Sequence, residues 1–295
     1  MKRLGIVMAA VALCLVPAAA QTPQEKKKTV AYLQSLQAPD GGFLAGRSGG
    51  PADAGRSGLR ATTAALRALH YFGGQASDGK ACADFVKKCF DRDRGGFAER
   101  PGGKPDVITT AVGMMAVVEL KLPREPYAGR TVEYLGEHAR GFEEIRMAAA
   151  GLEAAGKQPG QARRWLEQLG KMQNAAGDFG KGEGAARDTG GAIVAVMRLG
   201  GGVRHRSQVL QTLRAGQRAD GGFGKAGARS DLETSYRVMR AFMMLHEKPQ
   251  RPQRCREFVA ECRHIDGGYG LTPDTPSSAG GTYFASQILH WLEEK

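Results

Sequence analysis

Two textures of hydrophobic pattern alternate along the chain. Six segments, Ala61–Leu69, Thr109–Leu120, Glu143–Ala155, Gly190–Leu199, Leu232–Leu245 and Thr282–Leu292, are dense in Ala, Gly, Met, Val and Leu and poor in charge. Helices of that composition are buried on most sides. The helices that precede them carry Lys, Arg and Glu on one face and belong where one side meets water. The spacing predicts helix pairs, each with one buried and one half-exposed member.

A short signature joins the two members of each pair. It reads Gln37-Ala38-Pro39-Asp40-Gly41-Gly42-Phe43, then Gly95-Gly96-Phe97, Gly177-Asp178-Phe179, Gly221-Gly222-Phe223 and Gly267-Gly268-Tyr269, with Arg140-Gly141-Phe142 as a degraded copy. The six aromatic positions are separated by 37 to 54 residues, the period of a two-helix repeat. Glycine makes up 42 of 295 residues, about twice its usual share, so the glycines punctuate repeats. Each signature ends a helix and reverses the chain, and its aromatic ring can plug the seam between units. Six pairs can close into an all-α, α/α toroid, with an outer and an inner ring of helices around a hollow apolar centre.

The N-terminus differs. Lys2 and Arg3 precede an apolar run from Leu4 to Val16 and then Ala18-Ala19-Ala20, the order of a secretory signal peptide cleaved near Ala20. The run is too short to span a bilayer, and Leu13 before Cys14 argues against lipid anchoring. The expectation is a signal at 1–20, a linker at 21–28, a repeat domain at 29–295 and export to a periplasmic or extracellular space. No later stretch reaches transmembrane length. The formal charge of +12 changes little: aromatics are 7% and no arginine-rich run appears, so nucleic acid is not the expected partner.

The repeats resemble the α/α-toroid superfamily of prenyltransferase β subunits and squalene or terpene cyclases. The likeness covers about residues 26–295 and is greatest to the β subunit of Rab geranylgeranyltransferase. It rests on Phe85-Val86-Lys87-Lys88-Cys89 followed by Gly95 to Asp106, on Asp231-Leu232-Glu233-Thr234-Ser235-Tyr236 and on Thr282-Tyr283. In that family, the resemblance implies, a zinc ion held by an aspartate, a cysteine two residues later and a histidine activates a thiol. Asp106 matches the aspartate. Ile108 stands where the cysteine should be and, in the alternative alignment, Thr109 where the histidine should be. Gly190 after Asp188 and Glu233 after Asp231 break the pattern in the same way. The usual zinc ligand set is missing. The resemblance also implies a diphosphate contact at Arg100, with Lys104 one residue from the family's lysine. The Asp-x-Asp-Asp run of the cyclases and the cysteine–glutamine pair of the thioester toroids do not occur.

Cys82, Cys89, Cys255 and Cys262 form two i, i+7 pairs, about 10.5 Å of helix apart and beyond disulfide reach, so they are expected buried and unpaired. The histidines, His70, His138, His205, His246, His264 and His290, form no ligand pair. Asp106, Asp188, Asp231 and Glu233, with Glu143 or Glu144, fall at or just before inner-helix starts, where they cap helices or form a rim of acids at one mouth. Four functions stay open: a toroid binding an isoprenoid, lipid or other apolar molecule; a geranylgeranyl-type transferase with an atypical metal site; a scaffold for a protein partner; and a glycan-processing enzyme using two rim carboxylates.

Overall fold

Thr22 opens the first helix, α1 (Pro23–Gln34). Its hydroxyl accepts from the Glu25 N–H while the Glu25 carboxylate accepts from the Thr22 N–H, and Pro23 occupies a first-turn position whose N–H has no helical partner. This capping box starts the helix within the segment 21–28 expected to be a linker. The computed structural model describes residues 21–47, 55–157 and 160–293; the expected signal segment lies outside the described residues.

Eleven further helices follow among the described residues: α2 (Leu59–Phe72), α3 (Gly79–Lys88), α4 (Val107–Glu119), α5 (Glu125–His138), α6 (Phe142–Ala155), α7 (Ala162–Lys171), α8 (Ala185–Arg198), α9 (Arg206–Ala215), α10 (Leu232–Met244), α11 (Pro252–Glu261) and α12 (Ala279–Glu293). Even-numbered helices pack on one another in order, and α12 packs back on α2, so the inner ring closes. The odd-numbered helices lie outside it. The six apolar segments lie in inner helices, overrunning their C-terminal ends by no more than one residue, and the toroid expected from the repeat is the fold observed. The strand content is small: β1 (Phe90–Asp91) and β2 (Gly96–Phe97) pair antiparallel within one signature turn.

The signatures act as wedges. Phe43, Phe97, Phe179, Phe223 and Tyr269 are buried in the core between the rings. In each of these five turns a hydroxyl from the next inner helix accepts the aromatic residue's N–H: Thr62 for Phe43, Thr110 for Phe97, Thr189 for Phe179, Ser235 for Phe223 and Thr282 for Tyr269, at 2.9–3.1 Å. That bond satisfies a buried donor that the turn would otherwise orphan. The degraded copy lacks the device. Gly141 has a φ of −86°, and Phe142 begins α6 instead of plugging a turn.

Ring closure depends on Gly267. Its φ of +91° lies in the left-handed region, and a Cβ there would stand 2.6 Å from the Lys28 carbonyl carbon. Without a side chain, the turn sits directly on α1. Arg263 reaches Glu25 at 3.4 Å, and Gln21 donates to the Tyr269 hydroxyl, so the first helix is clamped to the last repeat.

Candidate functional site

Three inner-helix starts are tied to neighbouring turns. Leu59 N–H donates to the Glu99 carbonyl, Leu232 N–H to the Leu271 carbonyl and Ala279 N–H to the Ala45 carbonyl. Between these helices lies a cavity of about 480 Å³. Its wall includes Ala61, Ala64, Val112, Met115, Met147 and Phe284, as expected of a site for apolar molecules. It also includes Arg67, Arg146, Arg198, Arg237, Tyr236 and Tyr283. The centre is therefore amphipathic, not the wholly apolar hollow expected from the low charge of the inner segments. Arginine stems pack against the apolar wall while the guanidinium groups collect into clusters.

One cluster lies at the mouth. Glu143 on α6 takes a 2.7 Å hydrogen bond from Arg237 of α10 and a 2.9 Å contact from Arg146. Arg237 also donates to Glu233 at 2.9 Å, and Arg187 on α8 reaches Asp188 at 3.4 Å. Burial alone would raise the Glu143 carboxyl, but the Arg237 hydrogen bond and the Arg146 charge outweigh it and bring it down to about 2. Glu143, Asp188 and Glu233 are therefore gathered at one rim. Asp231 and Asp106 serve as helix caps, accepting from the Thr234 and Thr109 N–H groups at 2.7 and 2.8 Å.

A second cluster forms the floor. The Tyr236 and Tyr283 hydroxyls are 2.8 Å apart. Arg67 donates to Tyr283 at 2.6 Å with its guanidinium 4.9 Å from that ring's centroid, and Arg240 donates to Tyr236 at 3.5 Å. Trp291 stacks on Tyr236 at 5.5 Å. Burial alone would raise the Tyr236 hydroxyl, but Arg240, Arg67 and Arg198 outweigh it and bring it down; burial and Tyr236 push Tyr283 up. Beyond the floor lies a smaller cavity of about 210 Å³ that shares Arg67, Met115, Ala150 and Arg198 with the first and adds Arg124 and Arg240.

The two residues expected at a diphosphate lie elsewhere. Arg100 donates to the Ser57 carbonyl at 3.1 Å and lines a separate cleft with Asp40 and Phe85, and Lys104 is exposed. A zinc ion does not fit the family position. Asp106 is exposed and committed to its cap, Ile108 points outward with an apolar side chain, and the Thr109 hydroxyl donates to the Phe97 carbonyl at 2.8 Å. Among the described residues no three His, Cys, Asp or Glu side chains converge as metal ligands. The four cysteines are buried and unpaired, and desolvation pushes each thiol up to about 12. No described helix is long and apolar enough to cross a membrane.

Sequence reading missed the floor. Its signal was present as charged and phenolic residues inside segments otherwise almost free of them: Arg67 in α2, Arg198 in α8, and Tyr236 with Arg240 at i, i+4 on α10.

The profile of the prenyltransferase alpha-alpha toroid domain matches residues 3–80, 64–126 and 145–295. No curated protein sequence matches the chain. Among solved structures, protein geranylgeranyltransferase-I from Candida albicans, complexed with GGPP, is 13% identical, covers 79% of this chain and 83% of its own, and superposes with a TM-score of 0.63. A type II terpene cyclase from Scytonema in complex with merosterolic acid A is 11% identical, with 91% and 95% covered and a TM-score of 0.61. A glycosidase in complex with glucose is 12% identical over the same shares, with a TM-score of 0.60. Likenesses at these identities concern architecture.

Proposed function

Because this chain belongs to the prenyltransferase alpha-alpha toroid family, we propose that its central cavity binds an isoprenoid or another long apolar molecule, and that it does so outside the cytoplasm after cleavage near Ala20. The single observation that carries the reading is the cavity of about 480 Å³, whose apolar wall comes from Ala, Val, Met and Phe side chains of inner helices. That volume lies within the range of small-molecule sites, which are mostly apolar with a few placed polar groups. The solved relatives with GGPP and merosterolic acid A support an isoprenoid as the ligand class. The reading includes no thiol activation by zinc, since Ile108 and Thr109 occupy the places the ligands would need.

Native mass spectrometry of the purified mature protein is the test. A chain beginning at Gln21 with a lipid-sized adduct, lost on denaturation, is the expected result. A cavity-filling variant, Ala150→Phe, should lose the adduct while remaining folded. Failure of the wild-type protein to carry or take up any C20 isoprenoid, alcohol or acid, would overturn the reading, and stoichiometric zinc would favour a transferase instead.

A further inference from the structure

The two ends of the cavity differ in charge balance. At the mouth Arg60, Arg146, Arg187 and Arg237 each have a carboxylate within 3.4 Å: Glu99, Glu143, Asp188 and Glu143 with Glu233, respectively. There four arginines meet four carboxylates, with Glu143 shared by Arg146, Arg237 and, at 3.8 Å, Arg187. At the floor, Arg67, Arg198 and Arg240 converge on the tyrosine pair, and the carboxylates facing them are Glu119 and Glu153. Glu153 is 2.9 Å from Arg198 and 3.7 Å from Arg240, so it serves two guanidinium groups, while half of its own side chain faces solvent. Arg240 also has a buried Nε–H without a hydrogen-bond partner among the described residues. Burying a cation without full compensation is costly.

Helix ends account for one of these cations only: Arg198 is the last residue of α8. A helix C-terminus stabilises a cation in its last turn, but Arg67 and Arg240 stand further in, five residues before Phe72 and four before Met244. Burial and the neighbouring Arg240 charge bring the Arg198 guanidinium down to about 10, the behaviour of a crowded cationic site. Both tyrosine oxygens accept from arginines, which polarises their O–H groups as hydrogen-bond donors. Apolar wall rises above this floor from Met115, Val112, Ala64 and Phe284.

We propose that the cavity takes a long-chain carboxylate head first, its anionic group docking on Arg67, Tyr283 and Tyr236 at the floor and its hydrocarbon chain lying against the apolar wall toward the mouth. This assignment rests on the cavity-binding reading and adds to it the charge and the direction of the ligand. A carboxylate accepts from the planar guanidinium fork and from a phenol at once, in a site from which water is largely excluded. A neutral alcohol of the same chain leaves the positive excess uncompensated.

The test is a binding titration of delipidated mature protein with four probes: an isoprenoid acid, its alcohol, its methyl ester and a straight-chain fatty acid of equal length. The isoprenoid acid should bind at least about tenfold more tightly than the alcohol or ester, the scale of one charge-assisted hydrogen bond. Arg67→Gln should erase that advantage, bringing the ratio of acid to alcohol affinity close to one. Tyr283→Phe, which keeps the ring, should reduce it severalfold and guards against a folding defect in the first variant. Equal binding of acid, alcohol and ester would overturn the head-first assignment and leave the cavity-binding reading intact. So would an acid preference untouched by both variants, which places the carboxylate elsewhere. Binding of none of the four would overturn the cavity-binding reading itself. The fatty acid arm separates the two sources: equal affinity points to carboxylates generally, weaker affinity to a branched chain.

Discussion

The Thr29 hydroxyl donates a 2.8 Å hydrogen bond to the carbonyl of Gly267, residues 238 positions apart in the chain. Thr29 is fully buried, so the bond is made without competition from water. Together with the bare Gly267 backbone pressed on Lys28, it joins the last repeat to the first helix. Gly267→Ala should destabilise the fold by about 2 kcal/mol or more, from left-handed backbone cost plus a collision with main chain. Gly79→Ala, where the added methyl meets nothing and the backbone is helical, is the matched control and should change stability little. Chemical denaturation of the two variants checks the difference.

The hydroxyl clamps on the signature turns make a second prediction. Thr189→Val keeps shape but leaves the Phe179 N–H buried without its 2.9 Å acceptor. A loss of about 1–3 kcal/mol is expected, the desolvation cost of an orphaned donor. Thr189→Ser should restore most of it. Equal stability of the valine variant and the wild type in urea would show that the clamp is ornamental.

Acid should loosen the mouth before it unfolds the ring. The Glu143 carboxyl is held at about 2 in the folded protein against an ordinary value of 4.5, so its contribution to stability is present above 4.5. It is lost as pH falls from there toward 2, because the unfolded state takes up the proton first. Glu143→Gln should therefore cost stability at neutral pH and flatten the acid limb of the stability profile. Melting temperatures across that window, wild type against variant, test the sign.

Thiol chemistry should be silent in the native state. Burial raises Cys82, Cys89, Cys255 and Cys262 to about 12, which leaves negligible thiolate at mildly alkaline pH and no access for reagent. The mature protein should react with an aromatic disulfide reagent only after denaturation, and then at all four cysteines. Prompt native labelling of even one would contradict the packing described.

Residues near one another in sequence carried most of the fold. The helix pairs, the turns ending in Phe43, Phe97, Phe179, Phe223 and Tyr269, and the separation of inner from outer helices all follow from local composition and period, because helix burial is written into side-chain polarity. The rim acids Asp188 and Glu233 were also legible, since helix starts attract carboxylates whatever else they do. Arg100 and Lys104 came from the family resemblance, matched by position within a single turn, and position in one segment says nothing about which cavity that segment faces; Arg100 lines a separate cleft.

The floor of the cavity could not be read that way. Arg67, Tyr236 and Tyr283 belong to α2, α10 and α12, and their convergence depends on α12 packing back against α2. The sequence by itself determined a chain of glycine-hinged helix pairs with buried inner members. Only the tertiary structure decided that their few inward arginines and tyrosines would meet, because the distance between side chains on separate helices is set by ring closure and not by any local preference of the chain.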